Sequence, residues 1–170
     1  AMIACIYAIL TIMISPIAYI IMMNAMIACI YAILTIMISP IAYGAIQMRM
    51  SEILVLLAFY NKKYIPGLVI GCFIANMASP MGLWDMLFGT LATLLTCIAM
   101  NKVNLLYLTA FIGAIINGII VGFELYSILQ LPFFINLIYV FIGEFIVLII
   151  GVFLFKILEK NHGFMEKYIL

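Results

Sequence analysis

Long apolar runs separated by short polar breaks make up most of the chain. From residue 25 onward the pattern predicts six helical segments, at 25–42, 52–60, 68–77, 84–100, 105–125 and 133–158. Polar residues, Pro or Gly interrupt them at 44–52, 61–67, 78–81, 101–104 and 131–132. The runs are free of charge for long stretches and rich in Ile, Leu, Phe and Met. They read as helical spans, not as the weakly alternating strands of an outer-membrane barrel. Residues 52–60 and 68–77 are short for independent spans, so they are expected to tilt or to have their ends buried in protein. Six segments place both termini on one side of the membrane.

The apolar pattern begins with a repeat. Residues 1–19, AMIACIYAILTIMISPIAY, recur unchanged at 25–43. Natural internal repeats in transporters are weak, because each copy occupies a different environment and drifts. The segment 1–24 is therefore read as an artefactual duplication rather than a seventh span. The second copy runs directly into the polar stretch at 44–52 and is taken as the true first span, opening a single membrane domain at 25–170. Within it Ala28 and Ala32 form a small-xxx-small pair, suited either to packing inside the bundle or to close approach by a partner helix.

Composition agrees with the membrane reading and removes alternatives. The chain is 70% hydrophobic and 8% charged, with a mean hydropathy of +1.42, which leaves no stretch for a soluble domain. No basic patch supports nucleic-acid binding. Cys5, Cys29, Cys72 and Cys97 sit in apolar runs without metal-ligand spacing and read as small hydrophobes. His162 lies in a polar tail, so neither a metal site nor a cofactor is expected. No paired Ser/His, HExxH or aspartate-rich pattern points to an enzyme.

Charge position then orients the bundle. Lys62, Lys63, Lys102, Lys156, Lys160 and Lys167 fall at segment ends that alternate to one face, leaving Arg49 as the basic residue of the other. The lysine face, with the C-terminus, is expected to be cytoplasmic. Residues 44–52, 78–85 and 125–133 should then meet on the outer side.

Those outer stretches carry polar groups that an apolar chain does not accommodate cheaply. Gln47, Arg49, Ser51 and Glu52 crowd into six residues. Glu52, Asp85, Glu124 and Glu144 lie in or beside the outer halves of segments, and an ionised acid at a helix centre costs on the order of 2.5–3.5 kcal/mol. Glu144 is the deepest, roughly 16 Å along its helix. Asn117 shares a helical face with Glu124, Asn76 adds an amide, and Trp84 beside Asp85 adds an aromatic plane. Carboxylates take paired donors, amides complement a carbonyl and an aromatic face stacks, so the set suits a flat polar heterocycle. A purely structural polar network, with Arg49 paired to Glu52 or Asp85, is the competing reading.

Five motifs in order, GAIQMRMSE at 44–52, PGLVIGCFIAN at 66–76, GLWDMLFGTLATLL at 82–95, NGIIVGFEL at 117–125 and GEFIVL at 143–148, resemble the QueT family. These are substrate-binding S components of energy-coupling-factor (ECF) transporters, bacterial importers of queuosine precursors. The resemblance covers residues 25–160. It implies an all-α, six-helix S-component bundle in the bacterial cell membrane that captures a 7-deazaguanine such as queuine or 7-aminomethyl-7-deazaguanine. On that ligand Glu144 would take the base edge, Glu124 or Asp85 the amine, Gln47 or Asn117 the carbonyl, with Trp84 stacking. The resemblance also implies that Ala28 and Ala32 dock on a transmembrane coupling subunit, and that two cytoplasmic ATPases complete the importer, since this chain has no phosphate-binding loop of its own. The duplicated first segment departs from the family pattern. An S component for another vitamin or base, and a structural membrane protein without a ligand, remain as alternatives.

Overall fold

The computed structural model describes residues 3, 15–44 and 47–160. Most of the first repeat copy, with Cys5, and the tail bearing His162, Glu166 and Lys167 lie outside the described residues. Every described element is helical. In order they are α1 (Pro16–Met37), α2 (Ser39–Ala42), a 3-10 stretch (Met50–Leu56) continued by α3 (Leu57–Tyr60), a second 3-10 turn (Lys62–Tyr64), α4 (Ile65–Asn76), α5 (Leu83–Met100), α6 (Leu106–Leu129) and α7 (Phe133–Glu159).

Local chemistry explains where the helices start and stop. Ser15 caps α1, its hydroxyl accepting from the Ala18 amide at 3.1 Å, and Pro16 follows at the position where a missing N–H is harmless. At the far end Pro40 cannot continue the ladder, and the chain breaks at Ile38 into the single turn of α2. The first span is therefore displaced from the expected 25–42 and reaches back to Pro16. The expected boundary at 24/25 falls inside α1, where Asn24 is tied to the fold. Its amide donates to the Lys63 carbonyl at 2.9 Å and its oxygen accepts from the Gly67 amide at 2.6 Å. Pro66 similarly sits in the first turn of α4, so that helix starts before residue 68.

Four helices, α1, α5, α6 and α7, are long and apolar enough to cross a membrane. The chain thus has four candidate spans among the described residues where the pattern predicted six. The other two expected segments are present but short. Residues 50–60 extend about 20 Å and α4 about 18 Å, against a hydrocarbon core of ~30 Å. Much of the second segment is 3-10 rather than α, a winding that stacks residues three apart and so puts Glu52 and Val55, both buried, on one face.

The packing order closes a ring. α1 lies along α4, α4 along α5, α5 along α6 and α6 along α7, while the 3-10 stretch fills the gap between α7 and α1. The larger apolar core, including Tyr31, Leu56, Leu68, Met100 and Leu148, occupies the half nearer the lysines. A smaller one, Ala92, Val121, Leu125 and Val140, lies in the other half. Polar contacts close the lysine end: the Asn101 amide donates to the Ala58 carbonyl at 2.9 Å, the Tyr60 hydroxyl to Glu159 at 2.9 Å, and Lys156 pairs with Glu159 at 3.1 Å.

The contact between α1 and α4 involves the Ala28–Ala32 pair. Ala28 and Ala32 are buried in this chain's own interior. A Cβ added at Gly71 would stand 2.9 Å from the Ala28 Cα and 2.8 Å from the Tyr31 Cβ, so glycine on α4 and small residues on α1 bring the two backbones together. Within this chain the pair packs α1 against α4. Ala28 alone reaches a surface groove, of about 460 Å³, which Ala25, Ile21, Pro66 and Ile70 also line. Gly71→Val should therefore lower stability by about 1–3 kcal/mol. Thermal unfolding of the detergent-solubilised protein checks this, and an unchanged Tm would show that α1 and α4 do not touch there.

Candidate functional site

Where the two short segments end, the connecting loops turn inward and carry polar side chains with them. Arg49 precedes the 3-10 stretch in extended backbone and is 3% exposed. Its Nη2 lies 3.9 Å from Asp85 Oδ1 and 3.4 Å from Gln47 Oε1, and its guanidinium sits 5.5 Å from the centre of the Tyr43 ring. Gln47 reaches this position through a left-handed backbone, φ 50°, an uncommon conformation for a residue with a side chain and one that clusters at functional sites.

The next turn buries Ser51 and Glu52 against α1. The Tyr31 hydroxyl donates to Glu52 Oε1, and the hydroxyls of Thr35 and Ser51 meet at 2.6 Å. Asn76 closes α4, its amide nitrogen donating to the Asp85 carbonyl at 2.9 Å and to Cys72 Sγ at 3.3 Å. Both donors are thus engaged, and Oδ1 is left as a buried acceptor without a partner. Ser79 donates to Asp85 Oδ2 and holds that carboxylate at the start of α5. A Cβ at Gly89 would fall 2.6 Å from the Asn76 amide nitrogen and 3.3 Å from Arg49 Nη1, so glycine there opens the space that both occupy.

Glu124 and Glu144 complete the set from α6 and α7. Glu124 has no donor from outside the acids, and its neighbour is the Asp85 carboxylate, with which it shares a hydrogen bond when one of the two is protonated. Glu144 lies within Coulombic reach of Glu52 and Arg49. Arg49 Nε, Glu52 Oε2, Asp85 Oδ1 and Glu144 Oε2 are also buried without a hydrogen-bond partner. Leaving a buried polar group unmatched costs about 1–3 kcal/mol each, more for charged groups. So many unmatched buried polar atoms in one place are the exception in a folded protein.

A cavity of about 240 Å³ adjoins this cluster at Gln47 and Asp85. Tyr43, Gly44 and Gln47 line it from the first loop, Ser79 to Met81 and Asp85 from the second, and Leu125, Leu129, Leu131 and Asn136 from the third. The three stretches 44–52, 78–85 and 125–133 thus meet at one cavity.

With the geometry in place, comparison with known proteins is decisive. The family model described as QueT transporter matches residues 21–160. The chain belongs to the QueT transporter family. It is 34% identical over 132 residues to the queuosine precursor transporter QueT of Lactococcus lactis subsp. cremoris (strain MG1363), a stretch covering 69% of this chain and 78% of that one. No solved structure matches it. A QueT family member with four membrane-length helices is a multi-pass membrane transport protein.

Not every nominated residue of this QueT family member joins the cluster. Gln47, Arg49, Glu52, Asn76, Asp85, Glu124 and Glu144 do, each being buried. Trp84 does not. It is 50% exposed, its ring beside Phe88, and it does not line the cavity. One residue from Asp85 along a helix, its side chain points about 100° away. Asn117 is buried but donates to the Gly113 carbonyl of its own helix at 3.2 Å, and it also lies off the cavity. Conversely, Tyr43, just beyond α2, is the aromatic on the cavity wall, its hydroxyl anchored to the Ala75 carbonyl at 2.6 Å. Cys72, read as a small hydrophobe, has Asn76 and Thr93 as polar partners. Tyr31, Ser79 and Asn136 carried no signal beyond being polar in apolar surroundings. Tyr31→Phe should remove the hydrogen bond to Glu52 and destabilise the protein by about 1–3 kcal/mol. Denaturant unfolding that leaves its stability unchanged would dissolve the claimed pairing.

Proposed function

We propose that this chain is the substrate-binding membrane subunit of an ATP-driven ECF importer, and that its cargo is a queuosine precursor built on a 7-deazaguanine ring. The observation that carries the proposal is the set of buried, unmatched carboxylate and amide atoms beside the outer cavity. The printed name of the Lactococcus relative supports the same cargo. A 7-deazaguanine brings a ring N–H and an exocyclic amine that one carboxylate can accept together, and a carbonyl that needs a donor. Glu144 takes the paired donors, Asn76 Oδ1 is a further acceptor, and Arg49 supplies the donor to the carbonyl. Tyr43, rather than Trp84, is the aromatic wall beside the ring.

Calorimetry of the detergent-purified protein against queuine, 7-aminomethyl-7-deazaguanine, guanine and thiamin tests this reading. Selective, saturable binding of a deazaguanine is expected, weakened by about tenfold or more in Glu144→Gln, the scale of one charged hydrogen bond. Selective thiamin binding would transfer the scaffold to another cargo, and a folded sample that binds none of the four would return the cluster to a structural role.

Import requires partners, and the lysine-bearing end is where two cytoplasmic ATPases would act through a transmembrane coupling subunit. α7 ends on that side, at Glu159. The groove at Ala25 and Ala28 between α1 and α4 is the candidate seat for the coupling subunit, with Ala25 rather than Ala32 exposed in it. Ala25→Trp should abolish uptake in cells that supply the partners while leaving ligand affinity within about twofold, since the residue touches no part of the polar cluster. Unimpaired uptake would place docking elsewhere.

A further inference from the structure

Lys102 carries a charge that the bundle does not answer. It stands exposed in the turn after α5, at the lysine-bearing end. Among the described residues the ion pairs join Arg49 to Asp85 and Lys156 to Glu159. Glu159 also accepts from the Tyr60 hydroxyl, and Glu52, Asp85, Glu124 and Glu144 are buried. Among the described residues no carboxylate is thus left at that end for the Lys102 ammonium. Lys156, by contrast, has both an acid and the face of Tyr107, at 5.8 Å.

The same lysine closes a groove of about 460 Å³ between α5 and α6. Leu95 and Ala99, four residues apart, lie one above the other on α5, and Ile116 and Ile120 repeat that spacing on α6. Ala99 is the smallest lining residue, so the floor sinks there, while Leu95, Ile98 and Ile119 stand exposed as the rims. Apart from Lys102 every lining side chain is a hydrocarbon. A soluble polar ligand finds no partner in such a slot beyond one ammonium. A partner helix is a poor match too, because close helix approach uses small residues repeated at four-residue spacing, and one turn before Ala99 stands Leu95. A flexible hydrocarbon chain that ends in a negative charge matches both the slot and the lysine.

We propose that this groove seats one anionic phospholipid from the leaflet at the lysine-bearing end, its acyl chain lying over Ala99 between the rims and its phosphate held by Lys102. The lysine stem covers apolar surface while its ammonium reaches the headgroup level, where an anionic phosphate supplies the missing counter-charge. A zwitterionic lipid fills the slot equally well but brings its own cation, so the headgroup decides the preference. None of the groove residues belongs to the polar cluster or its cavity, so the lipid site stands whatever the cargo is.

Native mass spectrometry of the detergent-purified full chain tests this, with phosphatidylglycerol titrated against phosphatidylcholine of the same acyl chains. One phosphatidylglycerol per chain should be held about fivefold more tightly than phosphatidylcholine, the scale of one lysine at an anionic surface. Lys102→Gln should bring the two lipids within about twofold, while Lys63→Gln, at the groove between α1 and α4, should leave the preference unchanged. Ala99→Phe, which fills the slot, should weaken both lipids by about tenfold, the effect of exposing roughly two methylenes. Ile119→Trp, which overhangs the slot from its exposed rim, gives the same readout should Ala99→Phe not fold. Equal retention of both lipids by the wild type, the same loss of preference in Lys63→Gln, or undiminished retention with the slot filled overturns the proposal. A wild type that retains neither lipid overturns it as well, and a doubled mass that Ala99→Phe abolishes would then give the groove to a second copy of the chain.

Discussion

A guanidinium held among carboxylates inside an apolar bundle is the interaction on which the arrangement of the outer half depends. Arg49 is 3% exposed, and a buried ion is tolerable only with partners close by. Gln47 and Glu52 come from its own stretch of chain, Asp85 from α5 and Glu144 from α7. Keeping the guanidinium there requires the first loop to dip into the bundle and α5 to begin with its acid facing inward. It also requires position 89 to be glycine, because a side chain would displace both Arg49 and Asn76.

Space for this cluster follows from the two short segments. Residues 50–60 and α4 do not match the length of their neighbours, and the backbone that leaves their ends lies buried between long helices instead of facing lipid. Irregular backbone at depth is tolerated where protein or a cavity covers it. The polar cluster and the 240 Å³ cavity lie at the loops that join these short segments to the long helices. Binding chemistry and departure from regular span length thus have one structural origin.

Much of this was legible in the pattern of residues. The long spans, the lysine end and the meeting of three outer loops follow from hydropathy and charge position, because desolvation penalises any other placement of those groups. The acids of the site were legible for the same reason: Glu52, Asp85, Glu124 and Glu144 are costly in apolar runs wherever the helices point. Trp84 and Asn117 were misplaced because spacing says that a residue is near the site, not which way it faces. Tyr43 and Cys72 were passed over because tyrosine near a membrane surface and cysteine in a span are unremarkable until their partners are known.

The small residues of α1 show the same division. Ala28-xxx-Ala32 announced a close helix contact but not whose helix, and Gly71 of this chain's own α4 supplies it. By itself the sequence determined that the chain is helical and apolar, which groups must escape lipid, and that the outer half holds a concentration of charge. Those are properties of single residues and their nearest neighbours along the chain. Only the tertiary structure decided which carboxylates share Arg49 and how many of the described segments are long enough to cross. These depend on helix rotation and on contacts between residues dozens of positions apart, which local periodicity does not encode.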